Sequence, residues 1–229
     1  MLKVVPENFN PMKFRPSLIF LGVVLLGLFP SSAQTIQQTQ TFRLDAGWNL
    51  IVFQLVPPDP TPAVVFGTLG NSFERAWAYD NAHKVWSSYA RPGIEQSQHN
   101  DILLMDVGRA YWLYMNSAVP SWSITGSAPT NAPPVDLKNG WNLIGVPTGA
   151  GIMTEPVNMA AVLAASGANY DVILRWEQGQ YKRFSNTNNV PNAFSLFDAN
   201  KGKGYWVNVT SNSFTLQPKL LATVRPDAG

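Results

Sequence analysis

The sequence contains no cysteine. That absence excludes a disulfide framework, a thiolate metal site and a lipid-modified cysteine behind a leader, so the fold must be held by its core alone. Charge is also scarce, with Asp, Glu, Lys and Arg making up 13% of the residues against 45% hydrophobic ones. Disorder needs the reverse balance, low hydrophobicity with high net charge. Histidine is limited to His83 and His99. Neither has a partner at metal-ligand spacing, and both read as solvated loop residues. No Gly-x-Ser-x-Gly elbow occurs, and Lys201-Gly202-Lys203-Gly204 leads into a strand rather than a helix, so it is a turn and not a phosphate cradle. Glycosidase chemistry needs two carboxylates facing each other across a cleft. Asp101, Asp106, Glu155, Asp171 and Glu177 are available, but no motif singles them out. Asp101 and Asp106 flank an expected strand at 102–105 and read as its turn residues. The expectation is a protein that is not an enzyme and that has no metal or cofactor.

Long apolar runs are missing except for one. Lys13 and Arg15 precede an apolar stretch at 18–29, and Ser31-Ser32-Ala33 supplies small residues for a signal peptidase. Residues 1–33 are read as a cleaved secretory signal peptide, with 1–11 an upstream mis-start if translation begins at Met12 rather than Met1. As a helix the apolar run spans only about 18 Å, short of a bilayer core of roughly 30 Å, so membrane insertion after cleavage is not expected. Removing the leader takes away Lys3, Lys13, Arg15 and Glu7 from totals of 16 basic and 14 acidic groups, leaving 13 of each. A neutral chain without basic clusters argues against nucleic acid as a partner.

The surplus lies in aromatics and turn formers: 8 Trp, 7 Tyr, 12 Phe, 17 Gly and 18 Pro. Aromatics favour strands, and Gly and Pro punctuate turns. Gly47-Trp48-Asn49-Leu50-Ile51 returns unaltered as Gly140-Trp141-Asn142-Leu143-Ile144. Each copy is followed by a short helix signal (Thr61-Pro62, then Thr154-Glu155-Pro156), an aromatic hairpin and a Tyr-Trp strand at 111–115 or 204–208. Trp141 follows Trp48 by 93 residues, Pro156 follows Pro62 by 94, Tyr181 follows Trp86 by 95 and Trp206 follows Trp112 by 94. Such slow drift is that of a tandem duplication with insertions confined to turns. The chain divides into a polar linker at 34–41, a first unit at 42–128, a proline-rich linker at 129–134, a second unit at 135–218 and a tail at 219–229. The expected fold is mostly β: two similar antiparallel units, each a small barrel or sandwich with one short helix.

The pattern of Gly-Trp-Asn-Leu-Ile, short helix, aromatic hairpin and Gly202-Lys203-Gly204-Tyr205-Trp206-Val207 resembles a repeat of exported and cell-surface proteins of bacteria and archaea. The resemblance covers nearly the whole mature chain; the first copy departs from it at Gly108-Arg109-Ala110, with Ala for the second Gly. It implies an exported, modular protein found extracellularly, at the cell surface or in the periplasm, and implies no catalytic residue.

Aromatic residues are the one resource for binding. Trp86, Tyr89, Trp122, Tyr181 and Phe184 are candidate stacking platforms for sugars, with core packing as the competing account. Trp48, Trp112, Trp141 and Trp206 recur in both copies and are expected in the core. Arg109 and Lys203 precede the Tyr-Trp pairs at equivalent positions, either as a paired ligand contact or as turn charges lying over rings. Two function classes follow: an adhesion or surface-assembly module, with self-association included, or a carbohydrate-binding module. The partner is accordingly a protein or a polysaccharide at the cell surface.

Overall fold

A computed structural model of the chain describes residues 37–94, 97, 99–129, 134–145, 163, 169–185, 202–212 and 214–216. The expected leader, most of the proline-rich linker, the C-terminal tail and the helix expected after Thr154 lie outside those residues, apart from Leu163, which is helical and fully buried.

The chain passes through its strands in one order twice. The first half holds β1 (Gln37–Leu44), β2 (Gly47–Val52), helix α1 (Pro62–Gly67) with a 3-10 turn at Gly70–Ser72, β3 (Phe73–Asp80), β4 (Val85–Ala90), β5 (Ala110–Met115) and β6 (Val119–Ser127). The second half holds β7 (Val135–Leu137), β8 (Gly140–Gly145), β9 (Tyr170–Glu177), β10 (Gln180–Ser185), β11 (Gly204–Val209) and β12 (Phe214–Leu216). Sheet order is β2-β5-β3-β4 in the first half and β8-β11-β9-β10 in the second, with β1 on β6 and β7 on β12 as separate two-stranded ribbons. The protein is mostly β, but neither four-stranded sheet closes into a barrel. In the first half the reason is visible at both margins. The β4 edge is taken by the segment after it, where Asp101 N and Ile102 N donate to Ser88 O. The β2 edge is taken by the other half, where Val52 N donates to Gly202 O at 2.7 Å.

The repeated Gly-Trp-Asn has a local cause. Gly47 and Gly140 take φ of 87° and 84°, a region that a residue with a Cβ enters only at a cost. Two positions on, Asn49 closes the turn, its amide donating to Asp45 O at 2.8 Å while its carbonyl accepts from Asp45 N at 2.9 Å. Asn142 does the same to Lys138 O and Lys138 N at 2.7 and 2.8 Å. The tryptophan between them takes no part in the turn and stands 42% exposed at Trp48 and 40% at Trp141, against the expectation of core.

Alternation along β5 sends Tyr111, Leu113 and Met115 into the first-half core with Phe42, Leu44, Phe53, Phe66, Phe73 and Trp122. The rings interlock, with Phe66 stacked on Phe73 at 4.5 Å and Phe42 against Trp122 at 5.3 Å. Helix α1 is too short to be stable alone and is held by burial of Val65 and Phe66. Thr61 stands at its N-cap, but its hydroxyl donates to Asp59 Oδ1 instead of capping.

Two further expectations are corrected. The polar stretch read as a linker at 34–41 is strand from Gln37 onward, because its backbone pairs with β6, the Thr39 and Thr41 hydroxyls bond those of Thr125 and Ser123, and Gln40 turns inward. Gln40 donates to Val52 O and accepts from Gln54 N, closing the end of β2 like a length of backbone. Residues 102–105 form no strand. Ile102 and Met105 are buried, while Leu103 and Leu104 are exposed. Here Asp101 Oδ1, accepting from Ser88 N, replaces a ladder bond.

Candidate functional site

Each four-stranded sheet has a second face, and on both it is aromatic. Strand register places Trp48, Leu50 and Val52 with Trp112 and Tyr114, and these with Arg75, Trp77, Tyr79 and Trp86. In the second half the same register joins Trp141 and Leu143 to Trp206, Leu174, Trp176 and Tyr181. The two faces meet in an apolar layer of Leu50, Val52, Ala110, Trp112 and Leu143, with Trp77, Tyr79, Trp176 and Trp206 packed against it.

The joint is reciprocal. Trp112 meets Trp176 and Tyr181 of the second-half hairpin at 5.2 and 6.2 Å, and Trp206 meets Tyr79 and Trp86 of the first-half hairpin at 5.2 and 5.9 Å. Val52 N donates to Gly202 O, and Gly145 N to Gly108 O. Such close approach needs glycine: a Cβ on Gly145 would come within 2.4 Å of both Gly108 O and Val52 Cγ1, and one on Gly204 within 2.7 Å of Leu50 Cγ. Hydrogen bonds pin the rim. Trp176 Nε1 donates to Trp48 O at 2.9 Å, Asn81 exchanges two bonds with the Leu143 backbone, and Lys84 Nζ donates to Trp141 O.

Beside this joint lies a cleft of about 740 Å³ lined by Trp48, Glu74, Arg75, Trp77, Trp86, Trp112, Tyr114, Trp176 and Tyr181. That volume lies within the roughly 300–1,000 Å³ of small-molecule sites. The lining rings meet edge to face, for example Trp48 on Trp112 at 89°, Trp77 on Trp86 at 86° and Trp112 on Tyr181 at 85°. This geometry suits the ring quadrupoles and fixes the rings without pairing flat face to flat face. Trp48, Trp86 and Tyr181 remain 42%, 43% and 45% exposed. Burial nonetheless raises the Tyr181 phenol above its ordinary pKa, partly offset by a hydrogen bond with Trp206.

The polar part of the cleft is built by a bulge. Phe73 pairs with Met115 and Arg75 with Tyr114, so Glu74 is the extra residue on β3. A bulge re-aims its side chain, and Glu74 and its neighbour Arg75 both line the cleft. Arg75 Nε donates to Glu74 Oε1 at 3.0 Å, and Nη2 donates to the same oxygen. The second half has its own register shift at Asn208/Val209, opposite Asp171. There Val172 and Leu174 stand where Arg75 and Trp77 do, and Asn208 where Tyr114 does.

Of the candidates read from the sequence, Trp86 and Tyr181 are brought together in this cleft, one from each half. Tyr89 and Trp122 are 7% and 4% exposed and pack in the first-half core, where Trp122 Nε1 donates to Thr68 Oγ1. Phe184 is half-buried on β10, opposite the fully buried Ile173. Arg109 lies 5.9 Å from the Tyr111 ring centroid and 3.4 Å from Asp106. Lys203 donates to Glu177 Oε1 at 3.0 Å, and that bond, more than any other, lowers the Glu177 carboxyl below its ordinary pKa. His83 pairs with Asp80 at 2.7 Å on the exposed hairpin tip.

Trp48, Trp77, Trp112, Tyr114, Trp176, Glu74 and Arg75 were not read as site residues from the sequence. One signal was available: alternation sets Trp112 and Tyr114 opposite the core-facing Tyr111, so they needed a second covering surface. Comparison of the chain with family models, curated proteins and solved structures gives no match.

Proposed function

We propose that this chain is an exported, non-enzymatic module, built from two copies of one β pattern packed as a sandwich, that binds a glycan through the aromatic cleft. The observation that carries this reading is the cleft itself, where seven rings drawn from both halves line the wall together with the ion pair Glu74–Arg75. A pyranose presents an apolar C–H face and a rim of hydroxyls. Fixed aromatic faces with few polar groups between them are suited to that surface. The repeat spacing and the matching strand orders support duplication, and the basic-then-apolar leader supports export. Surface adhesion is the role such binding would serve. Among the described lining residues Glu74 is the one carboxylate, whereas glycosidases use two.

The test is a titration of intrinsic tryptophan fluorescence in the mature chain with oligosaccharides of β-glucan, xylan, mannan and chitin. Saturable quenching that disappears in Trp86→Ala and Tyr181→Ala supports the reading. A flat response to the whole panel, or quenching unaltered in both variants, overturns it. In that case an apolar surface for protein docking takes its place.

A further inference from the structure

We infer that the ligand of the cleft is an uncharged glycan, and that the bulged pair Glu74–Arg75 selects it by offering hydroxyl contacts with no net charge. This rests on the glycan reading above. The side chains of Arg75 and Glu74 are only 25% and 20% exposed, so the pair belongs to the wall of the cleft rather than to the solvated surface. They are the only charged residues lining it among those described, and their charges cancel.

Cancellation discriminates. An acidic sugar would bring a second carboxylate to one guanidinium, leaving one of two anions poorly compensated beside indole rings. A cationic ligand would do the same to Arg75. Charges taken out of water without a partner are strongly disfavoured, so both are rejected. A hydroxyl faces no such conflict. A carboxylate has about four acceptor positions, so Glu74 can accept hydroxyl hydrogens beyond the two bonds from Arg75. Charge-assisted bonds of that kind are stronger than neutral ones. Tyr114, opposite Arg75 in register, brings a phenol to the same end of the cleft. The second half carries Asp171-Val172 at the corresponding bulge, without the cation, and Leu174 and Asn208 in place of rings. Among the described residues the ion pair and its rings therefore occur at one of the two bulges.

The experiment is the same fluorescence titration of the intact mature chain, run at low and high salt, with two arms: neutral oligosaccharides of glucan, xylan, mannan and chitin, and oligogalacturonate as the acidic probe. At least one neutral ligand is expected to bind one per chain, with a dissociation constant that shifts less than about twofold with salt, because no net charge is neutralised. Oligogalacturonate is expected not to bind. Glu74→Gln removes the negative charge with little change of shape. It is expected to weaken the neutral ligand about tenfold, as loss of a charge-assisted bond does, and to admit oligogalacturonate in a salt-sensitive manner. Arg75→Gln is expected to weaken the neutral ligand without that gain. If oligogalacturonate binds the unmodified chain more tightly than every neutral ligand, the inference falls while the glycan reading stands. If neither arm binds, both fall.

Discussion

Gly145→Ala places one methyl group where the two halves touch. The new Cβ would lie 2.4 Å from Gly108 O and 2.4 and 2.7 Å from the two Cγ atoms of Val52. One of those contacts is backbone, so side-chain rotation cannot relieve it, and the hydrogen bond from Gly145 N to Gly108 O at 3.0 Å would stretch. Overpacking costs about 1–3 kcal/mol and loss of the bond about 1 kcal/mol more, together about 2–4 kcal/mol. For a chain of this length that is a fall in melting temperature of roughly 5–15 °C. The assay is thermal unfolding of the mature chain followed by circular dichroism, with tryptophan emission recorded alongside because Trp112, Trp176 and Trp206 all sit at the joint. Gly67→Ala is the matched control. The same methyl there meets nothing within 4 Å, Gly67 ends α1, and a neutral or slightly stabilising effect, up to about 1 kcal/mol, is expected. Equal melting temperatures for the two variants would mean that the halves do not meet at Gly145 as described, and the cleft they share would lose its foundation.

Asn142→Ala is expected to cost about 1–3 kcal/mol in urea unfolding, because it removes bonds to Lys138 and Gly140 at a fully buried side chain. Asn49→Ala, in a turn that water can reach, should cost less. Trp176→Phe removes the bond to Trp48 O while keeping a ring; a loss of about 1 kcal/mol in stability is expected, with weaker ligand quenching. Acid should act through three lowered carboxyls: Asp59, lowered chiefly by its bond with the Thr61 hydroxyl, Asp80, held at about 2 chiefly by its bond with His83, and Glu177, lowered chiefly by Lys203. A depressed folded pKa gives stability that is complete above the unfolded value of about 4 and lost as pH falls through the folded one. The urea midpoint should therefore hold from neutral pH to about pH 5 and decline between there and about pH 2, and Glu177→Gln should show a shallower decline. In alkaline titration Tyr111 should ionise only on unfolding, since burial pushes its phenol well above the ordinary range.

Much of the first half was legible because its signals are local. The hairpin β3–β4, the core-facing alternation of Tyr111, Leu113 and Met115, and the start of α1 at Pro62 all depend on residues within a few positions of one another. Residues 102–105 misled because apolar content resembles a strand, while the actual partner of that segment is the edge of β4. The first strand was missed because Gln40 looks solvated until its amide is seen bonded to Val52 and Gln54.

The amino-acid sequence by itself determined the mostly β character, the hairpins and the positions where glycine must turn the chain, since each follows from steric and periodic rules that act over short spans. It also showed that Trp48 and Trp141 recur, but not why. Periodicity tells which side chains share a face and is silent on what lies opposite that face. Only the tertiary structure decided that Trp112 and Trp206 lie between the halves, that Trp86 and Tyr181 face one cleft, and that Glu74 is turned toward Arg75 by a bulge. Those outcomes depend on contacts between residues far apart in the chain, such as Trp48 with Trp176, which local rules do not reach.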